Sequence, residues 1–157
     1  MRKEQFICPY TLYENLDELE PRDAELMRRA HEATKNSYAP YSNFHVGAAV
    51  RLANGAIVTG NNVENAAYPS GLCAERVAMF SAMAQYPGVA FEALAVTAHS
   101  ATNTIDEPVA PCGACRQVML EYEQQQGHPL RVLCLQHGGS VREVNSVADL
   151  MPFSFSM

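Results

Sequence analysis

The sequence predicts an α/β layered domain built on a mixed sheet. Three observations carry that reading. Patterns of helical and strand periodicity follow one another as helix, hairpin, helix, strand, helix, strand. The apolar runs at 91–98 and 130–135 have the length and composition of buried strands. A chain of 157 residues makes one domain, large enough to bury roughly two-thirds of its unfolded surface.

Residues 1–20 have mixed periodicity and read as an N-terminal arm of no assigned role, with Cys8, Tyr10, Leu12, Leu16 and Leu19 as its packing residues; the domain proper is placed at 21–157. Glu20-Pro21 starts a helix, because proline is tolerated in a first turn. Asp23 and Glu25 suit the positive helix end, and Ala24, Met27, Ala30 and Ala33 recur at helical spacing. Residues 37–43 form a loop. Val46, Ala48, Val50 and Leu52 alternate as a strand, Asn54-Gly55 signals a tight hairpin, and 56–59 returns. Residues 60–72 are polar and turn-rich and lead into a helix at 73–85, stopped by Pro87-Gly88. After the strand at 91–98 a loop runs to Pro111, then a helix at 113–125 is closed by Gly127. Gly138-Gly139 turns the chain from the strand at 130–135 into a short one at 141–144.

A net charge of −6, with Arg28-Arg29 as the densest basic pair, argues against phosphate-backbone binding, and no nucleic-acid partner is expected. No apolar stretch approaches the roughly 20 residues of a membrane span. The start, MRKEQFICPY, lacks the apolar core of a signal peptide, so a cytoplasmic location and no membrane partner are expected. In a reducing compartment five cysteines do not make a disulfide framework, and their spacing is read as metal or redox chemistry.

Two segments carry that chemistry: Cys73-Ala74-Glu75 and Pro111-Cys112-Gly113-Ala114-Cys115, each where a loop becomes a helix. Cys112 and Cys115, three apart, share a helix face. A helix N-terminus favours the thiolate that a metal needs, and thiolates select zinc over calcium or magnesium. Structural zinc sites close with four protein ligands, whereas catalytic sites keep three and leave a position for water. No fourth ligand is found: Cys8 lies in the arm, Cys134 reads as an inert thiol inside an apolar strand, and His31, His45, His99, His128 and His137 pair with no other donor. The count predicts an open zinc site. Glu75, two residues after Cys73, is an awkward co-ligand but a suitable neighbour of that open position, able to take a proton from activated water and return it to a substrate.

A ligand-x-Glu segment followed by Pro-Cys-x-x-Cys is the zinc-deaminase signature. Over about residues 22–157 the chain resembles the small homotetrameric cytidine deaminases, through SYAPYSNFHVGAAV (37–50), GNNVENAAYPSGLCAERVA (60–78), PCGACRQVMLE (111–121) and LMPFSF (150–155). The resemblance implies a three-layer sandwich whose mixed, mainly five-stranded sheet is flanked by helices. It implies one Zn²⁺ per chain and hydrolytic deamination of cytidine and 2′-deoxycytidine to uridine and 2′-deoxyuridine plus ammonia, a pyrimidine-salvage step. Zinc-activated hydroxide would attack C4 with Glu75 as proton shuttle. It places Phe44 beside the pyrimidine, Asn62 and Glu64 on the ribose hydroxyls, and Ala74 among the substrate-binding residues. It gives Arg76 the task of hydrogen-bonding ligand sulfurs and offsetting their charge. Ala66, Tyr68 and Phe155 would complete active sites shared across a homotetramer. Phe153 stands at a position usually small in that family, which leaves open whether Phe153 or Phe155 stacks on the neighbour's base. The competing readings are polynucleotide editing, blasticidin deamination and a closed, non-enzymatic zinc module. Acidity and the Asn62/Glu64 pair favour a free nucleoside, and the missing fourth ligand favours an enzyme.

Overall fold

A computed structural model describes residues 1–102, 104–136 and 139–155. His137 and Gly138, read above as an unpaired histidine and part of a turn, lie outside the described residues. In chain order the elements are β1 (Thr11–Tyr13), α1 (Pro21–Ala33), β2 (Phe44–Leu52), β3 (Ile57–Asn61), α2 (Ala74–Gln85), β4 (Phe91–Ser100), α3 (Gly113–Gln126), β5 (Arg131–Leu135) and β6 (Val141–Val144). The strands form one sheet in the order β1-β6-β5-β4-β2-β3. β4 and β5 run parallel, and the other described pairs are antiparallel. A parallel neighbour requires a crossover, which α3 supplies.

Alternation along β2 divides the core into two faces. Ala48, Val50 and Leu52 pack with Ala78, Met79, Met119 and Leu120 of α2 and α3. Ala49, on the opposite face, packs with Leu26, Met27 and Ala30 of α1. The result is a three-layer sandwich with α1 on one side and α2 and α3 on the other. Two glycines allow the close approach. A Cβ on Gly47 would lie 2.1 Å from the Ala30 carbonyl oxygen, and one on Gly60 would lie 2.4 Å from the Ala78 nitrogen. Gly60 thus lets the first turns of α2, which carry Glu75, lie directly on β3.

The sheet has six strands where five were expected. The sixth comes from the segment read as an arm. Thr11, Leu12 and Tyr13 pair antiparallel with Glu143, Arg142 and Val141 of β6. Tyr13 Oη donates to Glu143 Oε2 at 2.7 Å, while Leu19 is buried and Leu16 half-buried against the α1-side core. β1 covers the edge that β6 would otherwise expose. Three residues are too few for an alternating pattern to show in the sequence. β3 also extends two residues past its expected end, to Asn61. No described helix is long and apolar enough to cross a membrane.

Candidate active site

Cys73 and Cys112 are the N-cap residues of α2 and α3, both with extended backbone and neither using its side chain as a cap. Their sulfurs are therefore directed elsewhere. Cys73 Sγ lies 3.8 Å from Cys112 Sγ, Cys112 Sγ lies 3.5 Å from Cys115 Sγ, and all three sulfurs fall within 4.8 Å of one another. Two thiolates each about 2.3 Å from a tetrahedral zinc stand about 3.8 Å apart, so this donor set fits the ion. Among the described residues no fourth side chain joins the cluster. Cys134 is buried away from it, its thiol pushed up to about 12 by burial, and His45 stacks on His99 at 5.1 Å.

The thiols share protons unequally. A hydrogen bond from Cys115, working against burial and joined by Arg76 and Cys112, pulls the Cys73 thiol down to about 5. The same contact with Cys73, together with burial, raises the Cys115 thiol. Three thiolates this close need a cation to ionise together, and a metal ion is such a cation. Arg76 contributes part of that charge: its Nη2 donates to Cys73 Sγ at 3.5 Å. Its Nε is buried without a partner among the described residues.

Glu75 sits in the first turn of α2, 4% exposed. Burial raises its carboxyl above the ordinary value, and the Cys73 charge raises it further. Glu75 lines one open cavity of about 830 Å³ together with Cys73, Cys112 and Arg76. Phe44, Asn62, Glu64 and Tyr68 line the same cavity, so the structure brings together most of the residues singled out from the sequence.

Asn62 and Glu64 are held by backbone as well as facing the cavity. Asn62 Oδ1 accepts from Val46 N at 2.8 Å and its Nδ2 donates to Phe44 O at 2.9 Å, fixing the chain after β3 to the start of β2. Glu64 Oε2 accepts from Tyr41 N at 2.8 Å, and Oε1 accepts from the Ser42 hydroxyl. The Ser42 hydroxyl first, then the Tyr41 amide, hold this carboxyl below its ordinary range. Tyr68 is exposed and meets Tyr41 edge-on, ring centroids 6.1 Å apart.

Ala66, Ala74 and Phe155 do not line the cavity. The Ala74 methyl turns into the core between the sheet and α2 and is fully buried. Ala66 is exposed, as are Phe153 and Phe155; the Phe155 carbonyl accepts from Gln117 Nε2 at 3.3 Å. Nine cavity residues were not singled out as site residues from the sequence, Tyr41, Ser42, Val109 and Ala110 among them. Val109 and Ala110 stand directly before the Pro111-Cys112 motif, and that adjacency was the available signal. Arg116 was also missed. Its Nε donates to Pro111 O at 2.8 Å and its Nη1 to Leu150 O at 3.2 Å, fastening the loop that carries Cys112 to the C-terminal turn.

Comparison with known proteins agrees with this geometry. Residues 20–126 match the family model of the cytidine and deoxycytidylate deaminase zinc-binding region. The chain is 41% identical to a cytidine deaminase of Sporosarcina psychrophila over 133 residues, 84% of this chain and 90% of the relative. It is 41% identical to a cytidine deaminase of Mycobacterium tuberculosis over 136 residues, 84% of this chain and 88% of the relative. Among solved structures, the cytidine deaminase of Burkholderia pseudomallei superposes with a TM-score of 0.73 at 44% identity, over 83% of this chain and 97% of that one. With its three-sulfur cluster and its match across most of the domain, the chain belongs to the cytidine and deoxycytidylate deaminase zinc-binding family.

Proposed function

We propose that the protein deaminates cytidine and 2′-deoxycytidine hydrolytically, giving uridine and 2′-deoxyuridine plus ammonia. One observation carries the proposal: a buried carboxyl with raised proton affinity and a three-thiol cluster open onto the same cavity as an asparagine and a carboxylate suited to sugar hydroxyls.

Cys73, Cys112 and Cys115 would hold one zinc ion, which when bound lowers the pKa of water to about 7. Glu75 takes a proton from the attacking water and delivers it to N3 of the pyrimidine; it then takes the proton of the new C4 hydroxyl and passes it to the amine, which leaves as ammonia while the C4 carbonyl forms. Its burial suits it to hold each proton between taking it and giving it up. Arg76, donating to Cys73 Sγ, offsets thiolate charge that would otherwise blunt the metal as an electrophile. Glu64 accepts from the 3′-hydroxyl, which ribose and 2′-deoxyribose share, Asn62 offers its second amide N–H, and Phe44 lies against the base. Ala74 is the first helical residue of α2, between Cys73 and Glu75 of the cavity wall, but it is itself fully buried and offers substrate no exposed atom in this structure.

Arg76 is the one cationic side chain among the described lining residues, and it is already engaged by Cys73, while Glu64 and Glu75 are acidic. That balance favours an uncharged nucleoside over a nucleotide or a polynucleotide. Exposed Ala66, Tyr68 and Phe155 would contribute to active sites of adjoining copies in a homotetramer, with Phe153 as the alternative stacking ring. Thiols kept free for a metal suit a reducing compartment, and we place the protein in the cytoplasm.

An ultraviolet assay on cytidine, 2′-deoxycytidine, blasticidin S and single-stranded DNA tests the proposal. Turnover is expected on the two nucleosides, abolished by a chelator and restored by zinc. Zinc bound at one per chain with no turnover on either nucleoside would reject it.

A further inference from the structure

We infer that Ser42 is a positioning residue whose hydroxyl sets the Glu64 carboxylate, at a fixed place relative to Phe44, to accept a sugar hydroxyl. The inference rests on the nucleoside reading of the site and names the group that makes its sugar end selective.

The geometry is a short relay. Phe44 N donates to Ser42 Oγ at 3.1 Å, and the Ser42 hydroxyl donates to Glu64 Oε1. Glu64 Oε2 is taken by two loop amides, Tyr41 N at 2.8 Å and Ser42 N at 3.3 Å. A carboxylate offers about four acceptor positions, two on each oxygen. Oε2 uses both of its positions and Oε1 uses one, so a single acceptor position is left, on the oxygen that Ser42 orients. The loop is built to deliver that serine. Asn43 has φ 52°, in the left-handed region that asparagine tolerates, and its N donates to Ala39 O at 3.0 Å, closing a tight turn just before β2. Ser42, Phe44 and Glu64 all line the cavity. Removing the hydroxyl leaves Glu64 held through Oε2 alone, free to turn Oε1, and leaves the Phe44 amide without its acceptor. The two groups that this one hydroxyl ties together are those proposed to meet the sugar and the base.

The test is steady-state kinetics of the wild type, Ser42→Ala and Ser42→Thr on cytidine and on 3′-deoxycytidine, which lacks one sugar hydroxyl, with zinc content and melting temperature measured alongside. Ser42→Ala is expected to lose about tenfold in kcat/KM on cytidine, chiefly through a raised KM, the size of a hydrogen bond to a charged group. Its loss on 3′-deoxycytidine should be far smaller, so the preference for the 3′-hydroxyl collapses, and Ser42→Thr, which keeps a hydroxyl, should recover most of it. Equal losses on both substrates, or no loss on either, overturn the inference. If the alanine protein does not fold, Ser42→Gly, which suits a turn and also lacks the hydroxyl, carries the same expectation. A wild type active on cytidine whose preference survives Ser42→Ala overturns the role of Ser42 alone. A zinc-loaded wild type inactive on both nucleosides overturns the functional reading and this inference with it.

Discussion

The two faces of the sheet each bury a polar cluster, and the clusters differ in whether their groups are paired. Under α1, Arg51 Nη2 donates to Asp23 Oδ1 at 2.7 Å, Arg131 Nη2 donates to Asp23 Oδ2 at 2.6 Å, and Arg131 Nε donates to Glu143 Oε1 at 2.7 Å. Each charge there faces an opposite one. Burial alone would raise the Asp23 carboxyl, but hydrogen bonds from Arg131 and then Arg51 outweigh it and hold the group below its ordinary value. Under α2 and α3, three thiols converge on one point, Glu75 has its proton affinity raised, and Arg76 Nε has no described partner. Buried polar groups are normally satisfied. The first cluster ties secondary-structure elements together; the second lines a cavity with the donor set of a metal site and a carboxyl of raised proton affinity.

The contrast can be broken most decisively at a thiol. Cys115→Ala should cost nearly all turnover and reduce zinc from one per chain to traces by metal analysis; retained zinc and activity would show that the three sulfurs are not the metal site. Glu75→Gln should keep its zinc while kcat falls by about 10²–10⁴-fold, the range of general acid–base catalysis. Turnover near the wild-type rate in that variant would remove the carboxyl from the mechanism.

On the α1 side the effects should appear in stability. Asp23→Ala leaves Arg51 buried without its main partner, and a loss of about 3 kcal/mol is expected in denaturant titrations, with kcat per folded molecule unchanged. Glu92 Oε2, 3.1 Å from Arg51 Nε, keeps the cost near the lower end of that range. The same pair gives a pH dependence. A carboxyl whose folded pKa is lowered contributes stability above its unfolded value and loses it as pH falls. The difference in melting temperature between wild type and Asp23→Asn should therefore be full near neutral pH and shrink below about pH 4. The smallest effect is expected from Tyr13→Phe, which removes the hydroxyl that donates to Glu143 at 2.7 Å; about 1 kcal/mol should be lost, with activity unchanged.

Legibility in the sequence followed range along the chain. α1, α2 and α3 lie within a residue or two of their expected positions, because prolines, apolar spacing and the glycine after α3 act locally. Gly127 adopts φ 72°, the left-handed geometry expected of a glycine that ends a helix. β1 was not legible, since its strand character comes from the edge of β6, some 130 residues away, rather than from its own three side chains. The Glu123 carboxylate was equally silent. It accepts from Leu130 N at 2.7 Å, Val147 N at 3.0 Å and Ser146 Oγ at 2.7 Å, joining α3 to the residue before β5 and to a segment more than twenty residues away.

The site divides the same way. By itself the sequence determined the donor chemistry: three cysteines at two helix starts and a glutamate two residues after the first, since helix geometry places Cys112 and Cys115 on one face whatever surrounds them. Only the tertiary structure decided that the two helix starts face each other at 3.8 Å between sulfurs, that Glu75 is buried with its proton affinity raised, and that Ser42 and Asn62 orient the groups around the cavity. Those properties depend on close packing at Gly60 and on hydrogen bonds between residues far apart in the chain, and no local pattern records which distant group will arrive.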